Sequence, residues 1–164
     1  MRELAQQVGL ALKTAGAMLV TAESCTGGWV AQVVTSVPGS SEWFERGFVT
    51  YSNASKEEML GVPRALLERH GAVSEETARE MALGALRHSR GTVAVAVTGV
   101  AGPSGGTPAK PVGLVCFAWA TRSETRIETR NFAGDRESVR RQSAEHGLQG
   151  VLDLLRTGSG LPKT

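Results

Sequence analysis

Thr92 to Thr98, read TVAVAVT, is an unbroken apolar run bounded by threonines. It reads as a strand buried on both faces, and such strands belong in the middle of sheets covered by helices on either side. That single stretch makes a two-layer or all-helical build hard to sustain and points to an α/β protein. The rest of the chain supplies the parts. Leu4, Val8, Ala11, Leu12 and Ala15 recur at helical spacing near the N-terminus. Ala17-Met18-Leu19-Val20 reads as a buried strand ending at Thr21 to Ser24, and a helix is expected over about Thr26 to Ser36. Phe48-Val49-Thr50-Tyr51 reads as a second strand. Short helices follow, one opening at Asn53-Ala54-Ser55, where Ser55 and Glu58 fit a capping box, and one over Arg64 to Arg69. Ser74-Glu75-Glu76 opens a longer helix whose apolar face, Ala78, Met81, Ala82, Ala85 and Leu86, is made mostly of small residues suited to close packing on a sheet. After the central strand come strands over Val112 to Thr121 and Thr125 to Phe132, then a helix from Arg136 to Arg156. The expected fold is a three-layer α/β/α domain over residues 1–156, with a mixed, mostly parallel sheet of about five strands and a disordered tail at 157–164.

Composition narrows the function. The chain has 164 residues, 41% hydrophobic and 21% charged, with a formal net charge of +2. That is a soluble globular composition with no basic stripe for sequence-independent nucleic-acid binding. No run approaches the ~20 apolar residues of a membrane span. The N-terminus lacks the apolar region of a signal peptide, so the cytoplasm is the expected compartment. Cys25 and Cys116 suggest no disulfide framework, and His70, His88 and His146 have no metal-ligand spacing. Neither a metal nor a cofactor is expected.

The chemistry gathers at VTAESCTGG, Val20 to Gly28. Ser24 stands where a strand stops and a helix is expected to begin. The first N–H groups of a helix lack partners inside it and favour negative charge. A nucleophile there would find donors for an oxyanion, and Gly27 and Gly28 would let a substrate approach the backbone. Cys25 is a rival nucleophile, more reactive in itself but with no paired histidine. Lys56, in YSNASK, falls in the first turn of a helix, where the helix end disfavours an ammonium and burial would disfavour it further; a lysine so placed can serve a serine as general base, although by residue type alone an exposed surface lysine is the commoner case. The loop Gly99 to Pro111 is rich in glycine and proline and lies at a sheet end, although it is not a P-loop. Arg136, Arg140 and Arg141 open the last helix; their spacing is that of a solvated face, and one of them could instead hold a phosphate. Trp29, Trp43 and Phe44 could stack on a flat ring, although such aromatics are more often core.

Five stretches in order, AESCTGG, PGSSEWFERGFVTYSNASKEEMLGV, GAVSEETAREMALGA, AVTGVAGPSGGTPAKPVG and GDRESVRRQ, resemble the CinA C-terminal domain family over about Leu4 to Leu155. The resemblance implies an amidohydrolase that converts nicotinamide mononucleotide to nicotinate mononucleotide and ammonia. It implies Ser24 as nucleophile, Lys56 as base and Tyr51 as their assistant. It implies substrate contacts at Thr26, Gly27 and Gly28, at Thr98, Gly99, Ala101, Gly102, Gly105 and Gly106, and at Arg140. The partner implied is a small nucleotide, with no nucleic acid and no membrane, in a homo-oligomer. A second reading keeps the nucleotide site but makes the chain an interaction module linked to competence or DNA damage.

Overall fold

The computed structural model describes residues 1–158. The elements are α1 (Arg2–Thr14), β1 (Leu19–Glu23), α2 (Trp29–Thr35), β2 (Phe44–Val49), α3 (Asn53–Leu60), α4 (Arg64–His70), α5 (Glu75–Arg87), β3 (Val93–Gly99), β4 (Leu114–Ala120), β5 (Thr125–Asn131) and α6 (Arg136–Thr157). The strands form one sheet in the order β2-β1-β3-β4-β5. β1 pairs in parallel with β2 and β3, while β3–β4 and β4–β5 are antiparallel. All strands but β4 therefore point the same way, and the sheet is mixed as the sequence suggests.

Side-chain alternation divides the interior into two layers. Leu19, Val93, Val95, Val97, Val115, Phe117 and Trp119 face α1, α2 and α6. Val20, Ala22, Ala94, Ala96, Cys116, Ala118 and Ala120 face α3, α4 and α5. The second layer is lined with alanines on the sheet and with Ala78, Ala82 and Ala85 on α5, so α5 lies close against the strands. The large side chains fill the first layer, each fully buried aliphatic contributing about 1.5–3 kcal/mol. Trp43 belongs to that layer too, seated where Gly9 of α1 lacks a side chain.

This layering fixes where a ligand can bind. The link from β1 to β2 runs through α2 on one face, and the link from β2 to β3 runs through α3–α5 on the other. β1 and β3 are neighbours in register, Glu23 beside Val97. Their following segments diverge to opposite faces or loops, and the crevice beyond their carboxyl ends is the place where open α/β sheets bind ligands.

Four local expectations need correction. β2 starts at Phe44 and ends at Val49, four residues ahead of the expected start, leaving Thr50 and Tyr51 outside the ladder. α2 starts at Trp29 and not Thr26, because Gly27 and Gly28 have φ of +60° and +98°, which no right-handed helix admits. The capping box of α3 joins Ser52 to Ser55, not Ser55 to Glu58, so the helix is entered one residue before Asn53. α6 runs on through Thr157, inside the expected tail; the remainder of that tail, 159–164, lies outside the described residues.

Candidate active site

A cleft of about 270 Å³ opens at the crevice between β1 and β3. Ser24 and Cys25 line it after β1, Gly99 at the end of β3 and Val100 to Gly102 with Ser104 and Gly105 after it, Tyr51 after β2, Val73 ahead of α5 and Arg136 from α6. Residues from five parts of the chain thus converge on one opening.

Outside the lining itself, Lys56 Nζ lies 3.0 Å from Ser24 Oγ and 2.7 Å from the carbonyl oxygen of Thr50. Lys56 is only 1% exposed and is among the largest fully buried side chains of the described residues. Its position in α3 follows from the Ser52–Ser55 capping box, which turns Lys56 inward toward the end of β1. Burial lowers its pKa from 10.5 to about 8, with neighbouring Cys25 opposing the shift. The carboxylates that could have restored a high pKa are engaged elsewhere. Glu23 accepts from the N–H groups of Val30 and Ala31 at 2.8 and 3.1 Å, and Glu57 pairs with Arg64. An amine with a pKa near 8 is unprotonated in roughly a tenth of molecules at neutral pH. Neutral Lys56 can donate one N–H to Thr50 and turn its lone pair to the Ser24 hydroxyl.

Cys25 is buried beside Ser24, and burial pushes its thiol pKa up to about 12. It stays protonated in the neutral range and is a poor nucleophile there.

The turn carrying Ser24 is tied at several points. Ser24 N–H donates to Val97 O at 2.9 Å, and Gly27 N–H to Ser24 O at 3.0 Å. Arg140 reaches across from α6, donating from Nε to Cys25 O and from Nη2 to Thr26 O, both at 3.0 Å, with its guanidinium over the Trp29 ring. In a trans peptide the N–H points opposite to the C=O. Once Ser24 O and Cys25 O are drawn into these bonds, the N–H groups of Cys25 and Thr26 point the other way. Neither has a backbone acceptor among the described residues. The N–H groups of α2 that seemed available to an oxyanion are already taken by Glu23.

The remaining predicted positions divide. Gly99, Ala101, Gly102 and Gly105 line the cleft. Gly102 has φ of +80°, and a Cβ there would lie 2.4 Å from Val112, so the loop can take this path only with glycine. Gly106 packs against Val112 behind the lining. Thr98 is buried and spends its hydroxyl on Ala72 O at 2.7 Å, which holds the segment carrying Val73. Thr26 is buried, Gly27 lies beside Arg140 and Gly28 beside Val49, all within the turn and outside the cleft lining.

Tyr51 is 62% exposed at the rim, where its hydroxyl accepts from Arg136 Nη2 at 2.9 Å; Arg136 Nη1 also donates to Gly102 O at 2.8 Å. It is not interposed between Lys56 and Ser24, which meet directly. Of the three arginines that open α6, Arg136 reaches the cleft, whereas Arg140 is committed to the turn behind it. Val73 is a wall residue that sequence reasoning missed: an apolar residue just before the Ser74 cap, it resembles an ordinary hydrophobic staple, whereas Ser104 lies within the glycine loop expected to contact substrate. Among the described residues no cluster of His, Cys, Asp and Glu has the makings of a metal site, and no helix is long and apolar enough to cross a membrane.

The chain compares closely with known proteins. The family model of the CinA C-terminal domain matches residues 1–155. The nicotinamide-nucleotide amidohydrolase PncC of Escherichia coli K12 is 56% identical over 148 residues, covering 90% of each chain. The PncC of Pseudomonas putida is 54% identical over 151 residues, covering 92% of this chain and 94% of its own. The crystal structure of the competence/damage inducible protein CihA from Agrobacterium tumefaciens superposes with a TM-score of 0.90 at 44% identity, over 93% of this chain and 94% of the other. With its motifs, its sheet order and nearly its whole length accounted for, this chain belongs to the CinA C-terminal domain family.

Proposed function

We propose that the protein hydrolyses the carboxamide of nicotinamide mononucleotide, releasing ammonia, with Ser24 as nucleophile and Lys56 as general base. The relatives named nicotinamide-nucleotide amidohydrolases support the substrate. The observation that carries the mechanism is the buried Lys56 Nζ at 3.0 Å from Ser24 Oγ. Neutral Lys56 takes the serine proton as Oγ bonds to the carboxamide carbon, whose oxygen becomes the oxyanion. The N–H groups of Cys25 and Thr26 stabilise it. The C–N bond then breaks, the Lys56 ammonium returns its proton to the departing nitrogen, and ammonia leaves. Water, deprotonated by the same amine, attacks the acyl ester and regenerates Ser24.

Arg136 and Tyr51 at the rim, with the glycine loop opposite, are the contacts we assign to the nucleotide 5′-phosphate. A charge-assisted hydrogen bond of this kind contributes about 1.5–3 kcal/mol. Nicotinamide riboside should therefore be turned over with kcat/KM lower by about tenfold to a hundredfold, and Arg136→Ala should erase most of that preference. Equal kcat/KM for nucleotide and riboside would remove the phosphate site. The primary test is to incubate the purified protein with nicotinamide mononucleotide and assay ammonia, with Ser24→Ala as control. Absence of ammonia release by the wild-type chain would overturn the assignment.

A further inference from the structure

We propose that Glu23 is a positioning residue for the serine turn: a built-in anion that fills the N-terminus of α2 and thereby fixes Ser24 and the two N–H groups after it. The inference rests on the reading of Ser24 as nucleophile. Glu23 ends β1, is 1% exposed and lies outside the cleft lining, so it acts through its neighbours and not on substrate. A buried carboxylate is costly unless its oxygens are satisfied. Here Oε1 accepts from Val30 N–H at 2.8 Å and Oε2 from Ala31 N–H at 3.1 Å. These donors belong to the second and third residues of α2, the positive end of its dipole.

The consequence lies in the segment between. Ser24 to Gly28 must leave a strand and enter a helix by way of two glycines with positive φ, whose backbones have wide freedom. Glu23 clamps the far end of this segment to its near end, since the carboxylate is one residue from Ser24 and its donors open the helix. Arg140 pulls on the carbonyls of Cys25 and Thr26 from behind. A carboxylate drawing on N–H groups and a guanidinium drawing on C=O groups constrain the peptide planes between them from both sides. Their geometry places the Cys25 and Thr26 N–H groups without a helix terminus, which Glu23 has occupied. Misplacement of reacting groups by about 1 Å can cost on the order of a hundredfold in rate.

Glu23→Gln retains the shape but sets an amide NH₂ against one of the two donors; Glu23→Asp retains the charge but falls short of reaching both. Each variant is compared with wild type by thermal melting, by the rate at which a fluorophosphonate phosphonylates Ser24 with loss of fluoride, and by kcat, KM and the pH profile of nicotinamide mononucleotide hydrolysis. Fluorophosphonate labelling needs no nucleotide, and its final stoichiometry counts folded sites. The expected result is a labelling rate per site and a kcat each lower by about tenfold to a hundredfold, with KM within about twofold and the midpoint of the pH profile unmoved. Wild-type labelling rates in both variants would overturn the proposal. So would a loss confined to the number of labelled sites, which marks a purely structural residue, or a displaced pH midpoint with otherwise normal rates, which marks electrostatic tuning of Lys56. If wild type labels at Ser24 but releases no ammonia, the substrate reading fails and the labelling rates alone decide the role of Glu23.

Discussion

At the scale of single residues, adjacent positions have opposite fates. Ser24 and Cys25 are neighbours, yet only Ser24 meets an amine whose pKa burial has lowered, while burial raises the pKa of the Cys25 thiol. The same desolvation that makes a base of lysine disarms a cysteine, because in each case it favours the neutral form. Ser24→Ala should abolish ammonia release, whereas Cys25→Ala should retain activity of the wild-type order; the reverse pattern would transfer the nucleophile to sulfur. The base has its own signature. Since Lys56 must be neutral to act and its pKa is about 8, kcat/KM should rise with pH through one ionisation near 8 and level off above it. Lys56→Arg should lose nearly all activity although the charge is kept, because guanidinium cannot accept the proton at these pH values. An arginine variant with substantial turnover would mean that position 56 supplies only positive charge.

At the scale of elements, legibility in the sequence follows locality. α5 and β3 were readable because their patterns are complete within the element: acidic residues after Ser74 and small apolar residues at helical spacing, then a continuous valine–alanine run. β2 was misplaced because Phe44-Glu45-Arg46-Gly47 is an edge strand with charge and a glycine in its middle, and half of it is exposed. The start of α2 was misread for a different reason. Its N-terminal donors are satisfied by Glu23, six positions before the first helical residue, a distance no local capping pattern covers. Arg136 and Arg140 are one turn apart on α6, and only the docking of that helix decides which reaches the cleft. The Ser24–Lys56 pairing follows from motif order, and burial, one of the two causes expected to lower the lysine pKa, is the largest. Elements also set the precision of the site. A Cβ on Gly84 of α5 would fall 2.0 Å from the carbonyl oxygen of Leu60, the last residue of the helix that carries Lys56. Gly84→Ala should therefore push α3 and α5 apart, costing about 1–3 kcal/mol or more of stability and lowering kcat per folded molecule, as judged by denaturant titration alongside the ammonia assay. Unchanged kcat would show that α3 can shift without moving the lysine.

At the scale of the whole molecule, the crossover that sends α2 to one face and α3–α5 to the other creates the crevice, and the crevice is where a lysine is forced out of water. That arrangement has a thermodynamic cost that can be read independently of catalysis. The Lys56 pKa is about 8 in the folded chain against 10.5 for the free group. Between those values the unfolded chain binds more protons than the folded one, so folding stability rises with pH across the window; below pH 8 the full penalty applies. A difference of this size corresponds to about 3 kcal/mol. Lys56→Met removes the titration while keeping a long side chain, at the expense of leaving the Thr50 carbonyl without its donor. The absolute stability of the variant at neutral pH reflects both effects, but the pH dependence isolates the lysine. Measured by urea unfolding from pH 7 to pH 10.5, wild type should gain about 3 kcal/mol relative to Lys56→Met, with most of the gain above pH 8. Parallel pH profiles for the two chains would mean that Lys56 is solvated well enough to keep its ordinary pKa, and the case for it as a base at neutral pH would fall with that result.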